Sequence, residues 1–331
     1  MATPAIRMFR KLEGLFCVYK PAGVHWKLVR DSIETNLLKG LNAAPSPPLP
    51  HHVRLLTQPN NESETSKGLT VSTVSVPVLS KHPLVTGPEF QHIRVGVGHR
   101  LDAFSSGVLV LAVGNGNKAL NDFYSTRVTR DYTLEAEFGT ATDNFTHTGR
   151  VVERSTYDHI TQDKLERVLS MLEGVNQKTL LTYSNIDMRS QEAYEMAVQG
   201  LLGPEGKSTP ILTGLRCIRF QPPNFTLELQ CLNETQKYLC KIVHEIGLEL
   251  RSTAVCKGVR RTRDGLFTLQ DALIHHHWTA ADVMQAIQLY HSTKKNKKRS
   301  KAANKTSALQ TSEDNITETQ QSEVNEGRFA E

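Results

Sequence analysis

The chain has 331 residues, 38% hydrophobic and 22% charged, enough to bury a sizeable core in one large domain or two smaller ones. Its formal charge of +5 is a mild basic excess, which suits a polyanionic partner without demanding one. No stretch approaches the ~20 apolar residues of a membrane-spanning helix. Cys17, Cys217, Cys231, Cys240 and Cys256 are scattered and never spaced as CxxC, which argues for a reducing compartment and against a disulfide framework or a zinc site.

In chain order, Arg7, Arg10 and Lys11 precede the first acid, Glu13, with apolar Ile6, Met8 and Phe9 between them. That pattern reads as a short mitochondrial targeting segment over residues 1–13. Leu15 to Tyr19 is a short apolar run ending at Lys20-Pro21-Ala22-Gly23, a strand meeting a turn. Pro, Ser, Asn and Glu crowd residues 44–70, so a flexible insertion is predicted at about 40–70, followed by a β-like stretch from Thr70 to Pro77. Gly107 to Val113 is a continuous apolar run, suited to a strand covered on both faces. Residues 131–138 alternate, with Tyr132, Leu134, Ala136 and Phe138 on one face, and Phe225, Leu227, Leu229 and Cys231 repeat the pattern.

Helices are predicted at 162–173, capped by Thr161 and ended by Gly174, and near 191–202, 236–250 and 280–290. Strands and helices interleave without a strict βαβ rhythm, which favours a mixed sheet with helices packed on it. The side chains of His275-His276-His277 point in different directions, so no metal site is expected there. After residue 291 the apolar pattern stops. A cluster from Lys294 to Lys301 and a polar tail follow, so 291–331 is predicted to be disordered, with its lysines free to touch phosphates. The ordered domain is expected over 14–290.

The sharpest segment is Gly96 to Ala112. One carboxylate, Asp102, lies in a glycine-bounded loop just before the buried strand. This is a way to hold one acid at the floor of a cleft, with glycines allowing close approach. The alternative at this level is an aspartate that merely caps its loop.

The segment resembles the second motif of pseudouridine synthases. It shares Gly96, Leu101, Asp102, Gly107, Val108 and Leu109 with the TruB form GHxGxLDxxAxGVL. It shares His99-Arg100-Leu101-Asp102 and Ser106-Gly107 with the HRLDxxTSG form of the large ribosomal-RNA synthases. Other segments select TruB. They are Lys20-Pro21-Ala22-Gly23 (KPxG), Asp131-Tyr132 with Thr142-Asp143 and Gly149, Tyr183-Ser184 with Tyr194, and Val259 to Phe267 with Asp271-Ala272 (LRRTRxGxFxxxDA). The similarity spans about residues 14–272 and is closest to the divergent mitochondrial paralogue of animals.

The resemblance implies an α+β pseudouridine synthase fold with a mixed, mostly antiparallel central sheet flanked by helices, a catalytic cleft across the sheet and no C-terminal PUA domain. It implies an isomerase turning uridine into pseudouridine in RNA, mitochondrial mRNA or other organellar RNA, without a cofactor. The target nucleotide must be flipped out of the stack. Asp102 is implied as the nucleophile, or as the base that starts glycosidic cleavage. Tyr132 is implied to stack on the base and accept its proton, and Tyr238 to be a second active-site tyrosine. Lys20, His99, Arg100, Arg260 and Arg261 are implied as substrate-binding residues. The implied partners are RNA (mRNA, tRNA or rRNA) and other mitochondrial RNA-processing or ribosome-assembly proteins. The implied compartment is the mitochondrial matrix, with the cytosol or nucleus as the alternative.

Departures from the pattern matter. The family arginine that pairs with the catalytic carboxylate falls at Cys240, and a carboxylate in a dry pocket without a cation loses nucleophilicity. Arg100 and Lys241 are candidate substitutes. The motif histidine falls at Val97, and other family positions at Asp187, Ser190 and Thr146. These changes keep open an alternative: an RNA-binding or ribosome-assembly factor with this fold and weak or no turnover.

Overall fold

A computed structural model describes residues 3–45, 48–59, 69–125, 128–183, 190–191, 194–195 and 210–294. The elements are α1 (Pro4–Leu12), β1 (Gly14–Lys20), α2 (Trp26–Asn42), β2 (His51–Pro59), β3 (Leu69–Pro77), the single turn α3 (Pro83–Thr86), β4 (Val95–Val97), β5 (Ser106–Val113) and α4 (Gly116–Ser125). They continue with β6 (Arg130–Phe138), β7 (Thr140–Thr142), β8 (Val151–Arg154), α5 (Gln162–Tyr183), β9 (Ile211–Gln221), β10 (Asn224–Leu232), α6 (Gln236–Glu249), β11 (Ala254–Asp264), β12 (Phe267–Thr268) and α7 (280–294).

The central sheet has eight strands in the order β1-β5-β11-β6-β10-β9, with β4 on β5 and β12 on β11. Every pairing is antiparallel except β5 with β11. This is the mixed, mostly antiparallel α+β sheet expected from the sequence. All eight residues of β5 are buried because helices cover both of its faces. Leu109, Leu111 and Val113 meet α1, α2 and α7, while Val108, Val110 and Ala112 meet α4. β6 and β10 bury one face each. Leu134, Phe138, Phe225, Leu227 and Leu229 pack beneath α5 and α6, and Phe138 stacks on Phe225 at 4.0 Å. Each such side chain contributes roughly 1.5–3 kcal/mol by leaving water. Gly107 sits where the parallel pair closes. Its φ is +110°, and a Cβ there would lie 2.1 Å from the Arg261 carbonyl oxygen, so only glycine lets β5 approach β11.

Three expectations change. The segment read as a flexible insertion carries β2, which pairs with β3 from His51↔Pro77 to Pro59↔Leu69. The Pro- and Asn-rich flanks hide an alternating, β-prone run through Val53 and Leu55. Helix α5 continues past Gly174, since one glycine costs a helix only about 1 kcal/mol. Residues 3–12 are part of the packed molecule. Thr3 caps α1 by accepting from Ile6 N at 3.2 Å, and Leu12 is fully buried, so any targeting role falls on residues that also pack. Most of the helix predicted at 191–202, with Tyr183's partner Ser184 and the residues Asp187 and 295–331, lies outside the described residues.

Candidate active site

Asp102 lies in the loop between β4 and β5, and its side chain faces solvent. The loop is pinned at both ends of this exposed residue. Leu101 is fully buried, and Ser105 N donates to Asp102 Oδ1 at 3.0 Å. Asp102 therefore caps its own loop with one oxygen and presents the carboxylate outward, so the capping and catalytic readings coincide. Among the described residues no cation forms an ion pair with it.

The turn after β1 clasps the same loop. Gly23 N donates to the Ala103 carbonyl at 2.7 Å. Lys20 Nζ donates to the carbonyls of Ser105 at 2.5 Å, Pro21 at 3.0 Å and Ala103 at 3.5 Å. Its side chain, expected from the sequence to bind substrate, is wholly buried, and its donors are spent on the loop that carries Asp102. Burial pulls the Lys20 ammonium down to about 8; the Asp102 carboxylate opposes the shift and Arg261 adds to it.

Arg261 is also buried and also braces rather than binds substrate. Its Nε donates to the Val108 carbonyl at 2.8 Å, its Nη2 to the His99 carbonyl at 2.6 Å, and its Nη1 lies 3.6 Å from Asp264 Oδ2. His99 Nδ1 sits 3.3 Å from both Asp264 oxygens, and its ring packs on Phe123 and Tyr124. Burial alone would raise the Asp264 carboxyl, but Arg261 and His99 outweigh it and hold the group below the ordinary carboxylate range. Arg260, the next residue along β11, is exposed and lines a cavity of about 500 Å³ with Phe104, His147 and Lys257.

Tyr132 departs from expectation. Its ring is wholly buried in the core, and its hydroxyl donates to Glu234 Oε1 at 2.6 Å, where Arg130 Nε also lies at 2.9 Å. Burial, with Glu234 beside it, raises the phenol well above its usual value, so it stays neutral. The outward residues of β6 are Asp131, Thr133, Glu135 and Glu137; Tyr132 points the other way, as strand alternation requires. In this arrangement the ring is not open to a base.

The start of α6 closes the site from the other side. Thr235 caps the helix by accepting from Tyr238 N at 3.2 Å, and Gln236 Oε1 accepts from Ser105 Oγ, so the helix and the Asp102 loop are tied directly. Tyr238 is half-buried against the core. Cys240, at the position of the expected arginine, is packed in that core, and a hydrogen bond from Cys256 pulls its thiol below the ordinary value while burial and nearby Asp102 oppose the shift. Lys241, considered as a substitute cation, pairs instead with Glu245 at 3.0 Å. Arg100 leaves the loop in the opposite direction and lies 4.8 Å over the Trp26 ring. Of the three histidines 275–277, His275 packs on Trp278 and edge-on to His276, while His277 faces Asp282. Sequence reasoning missed Glu234, Gln236 and Asp264; the long RRTRxG match was the one signal that pointed at Asp264.

Residues 88–237 match the TruB family pseudouridylate synthase (N terminal domain). The chain is 55% identical over 290 residues to "Pseudouridylate synthase TRUB2, mitochondrial" of Xenopus tropicalis, covering 87% of this chain and 88% of that protein. It is 54% identical over 278 residues to the human protein of the same name, covering 84% of each. Human "Pseudouridylate synthase TRUB1" is 34% identical over 200 residues, covering 60% of this chain and 56% of that protein. With an exposed aspartate held in the family's motif loop and such identity along most of both chains, this protein belongs to the TruB family of pseudouridylate synthases.

Proposed function

We propose that the chain isomerises uridine to pseudouridine within mitochondrial RNA, with Asp102 as the reacting carboxylate. The observation that carries this reading is an aspartate exposed on a loop that is otherwise rigidly held by Lys20, Gly23, Ser105 and Arg261. A charged group costs less to fix than to reorganise during a reaction, and here the fixing is done by neighbours that are themselves buried. An extruded uridine would meet the carboxylate at the glycosidic carbon, with Tyr238 at the wall formed by α6. Tyr132 supports the floor from beneath through Glu234. The N1–C1′ bond breaks, the base turns, and a C5–C1′ bond forms; C5 gives up its proton and N1 takes one up, so the product is an isomer and the balance needs neither oxidant nor reductant. The compartment follows the mitochondrial relatives. Mitochondrial mRNA is the proposed substrate, and mitochondrial RNA-processing or ribosome-assembly proteins are the proposed partners. The catalytic domain is proposed to run from 14 to 290, with α1 packed against it and α7 ending just beyond it.

Asp102→Asn is expected to abolish pseudouridine at the enzyme's sites while RNA affinity stays within about twofold. Pseudouridine mapping of mitochondrial RNA from cells carrying only the variant reads the first part, and filter binding the second. Undiminished modification would end the assignment.

One observation favours a second reading, an assembly factor with little turnover: a buried Cys240–Cys256 pair stands where an arginine is expected beside the carboxylate. In that case the Asp102→Asn chain would support growth and ribosome assembly as well as the natural one.

A further inference from the structure

Beside the catalytic loop, a cavity of about 470 Å³ opens between the first turns of α2, strand β4 and helix α4. Arg30, Arg94, Arg100 and Lys118 line it, with Trp26 as its large aromatic wall and no carboxylate in the lining. Arg94, Arg100 and Lys118 are exposed. Three cations crowd one indole: Arg100 at 4.8 Å, Arg30 at 5.8 Å and Lys27 at 5.9 Å from the ring centroid. The ring faces attract each of them, but the cations repel one another. Arg30 pairs with Asp31 at 2.7 Å, an exposed bridge that holds it only weakly. An arrangement of this kind is completed by an anion with several charges.

The groove is built, not incidental. Asn117 Nδ2 donates to the carbonyls of Gly114 at 2.9 Å and Arg94 at 3.3 Å, fixing α4 against β4. A Cβ at Gly96 would lie 1.9 Å from Asn117 Oδ1, so the strand presses as close to the helix as glycine permits. Tyr124 OH donates to the Val97 carbonyl at 2.8 Å and closes the far end. Arg100 stands two residues before Asp102, so the groove and the reacting carboxylate belong to one loop.

We propose that this groove seats the single-stranded RNA adjoining the target uridine. One neighbouring base stacks on Trp26, and the phosphates on either side of it bind Arg30, Arg94 and Lys118. Arg100 leaves the indole to make room and takes a phosphate in turn. This rests on the reading of the chain as an RNA-modifying enzyme and adds where the flank runs. Stacking on Trp26 needs an unpaired base face, which a single strand offers and a duplex does not. The flipping that exposes the target also unstacks its neighbour, so a free base face is at hand. Stacking on an aromatic ring tolerates any base, and phosphate contacts carry no sequence code, so the groove would fix register rather than choose a sequence.

The test uses the full chain, a fluorescently labelled uridine-containing single-stranded 20-mer of mixed sequence, and the same sequence annealed to its complement. Trp26→Ala should weaken binding of the single strand roughly five- to a hundredfold, the range of lost base stacking. Trp26→Phe should restore most of it, which separates stacking from misfolding. Arg94→Ala with Lys118→Ala should flatten the slope of log affinity against log salt by about 1.4, two phosphates' worth on a single strand. Arg219→Ala, which removes one charge from a distant strand, should change neither. The inference is overturned if Trp26→Ala binds the single strand as the natural chain does, or if the Arg94/Lys118 pair leaves the salt slope unaltered. It is also overturned if the annealed duplex depends on Trp26 equally. Asp102→Asn keeps the two readings apart: modification surviving in that variant would sink the proposed chemistry, whatever Trp26 does.

Discussion

Arg261 and Arg100 stand on opposite sides of the Asp102 loop and do opposite things with the same charge. Arg261 is 1% exposed in its side chain and is held by the carbonyls of Val108 and His99 and by Asp264. Arg100 is exposed and lies over an indole face. A guanidinium taken from water has to be repaid bond for bond, so the buried one fixes geometry. A guanidinium left in water keeps its charge free for a partner that arrives later. The lattice of Lys20, Arg130, Arg261, Glu234 and Asp264 beneath the loop is thus a frame, and the groove of Arg30, Arg94, Arg100 and Lys118 beside it is a receptor.

The sharpest way to break this comparison is to remove one arginine from each side. Arg261→Ala leaves Asp264 buried without its cation and the carbonyls of His99 and Val108 without a donor, so unfolding should become easier by about 3–5 kcal/mol. Arg100→Ala should stay within about 0.5 kcal/mol. Urea denaturation of both variants reads the difference, and equal losses would erase the distinction between frame and receptor.

The next effect is acid-dependent. The Asp264 carboxyl is held below its unfolded value, so its contribution is fully present above the ordinary carboxylate range and is lost as pH falls through and below it. Asp264→Asn should cost about 2–3 kcal/mol at pH 7, as a broken charged hydrogen-bond pair does. It should also flatten the fall in stability between neutral and acid pH. A variant whose acid profile matches the natural chain would show that Arg261 and His99 do not depend on this carboxylate.

The sequence revealed the frame's strands more readily than its contacts. The alternation of Tyr132, Leu134, Ala136 and Phe138 and the unbroken run of β5 report burial directly, because a strand's period is two and helices cover both sides of β5. Asp102 was legible through its motif, as was the neighbourhood of Tyr238 and Cys240. The charged residues were legible as charged but not as buried: Lys20 and Arg261 read as ligands for RNA, yet the structure places both under the loop. Glu234 and Gln236 have no periodicity to announce them, since their partners Tyr132 and Ser105 are about 100 and 131 residues away and are set by sheet register and by where α6 begins. Of the β2–β3 hairpin only β3 was read; β2 was masked by the Pro- and Asn-rich sequence around it, although its partner is near in the chain.

The smallest effect on stability is the most informative about catalysis. The Lys20 ammonium is lowered to about 8 by burial, and when charged it holds the carbonyls around Asp102. As pH rises through 8 it becomes neutral, loses one donor and withdraws a positive charge that interacts with the Asp102 carboxylate. Single-turnover rates should therefore fall above about pH 8. Stability should move the other way. Between about pH 8 and the unfolded lysine value of 10.5 the folded chain has already shed a proton that the unfolded chain retains, so stability rises with pH across that window. Lys20→Met, which keeps the length and removes the charge, should slow turnover about tenfold at pH 7, roughly the loss of one charge-assisted hydrogen bond in the transition state. It should also abolish both alkaline trends. A natural chain whose rate stays flat to pH 9, or a Met variant that keeps the alkaline fall, would assign that limb to another group and return Lys20 to a purely packing role.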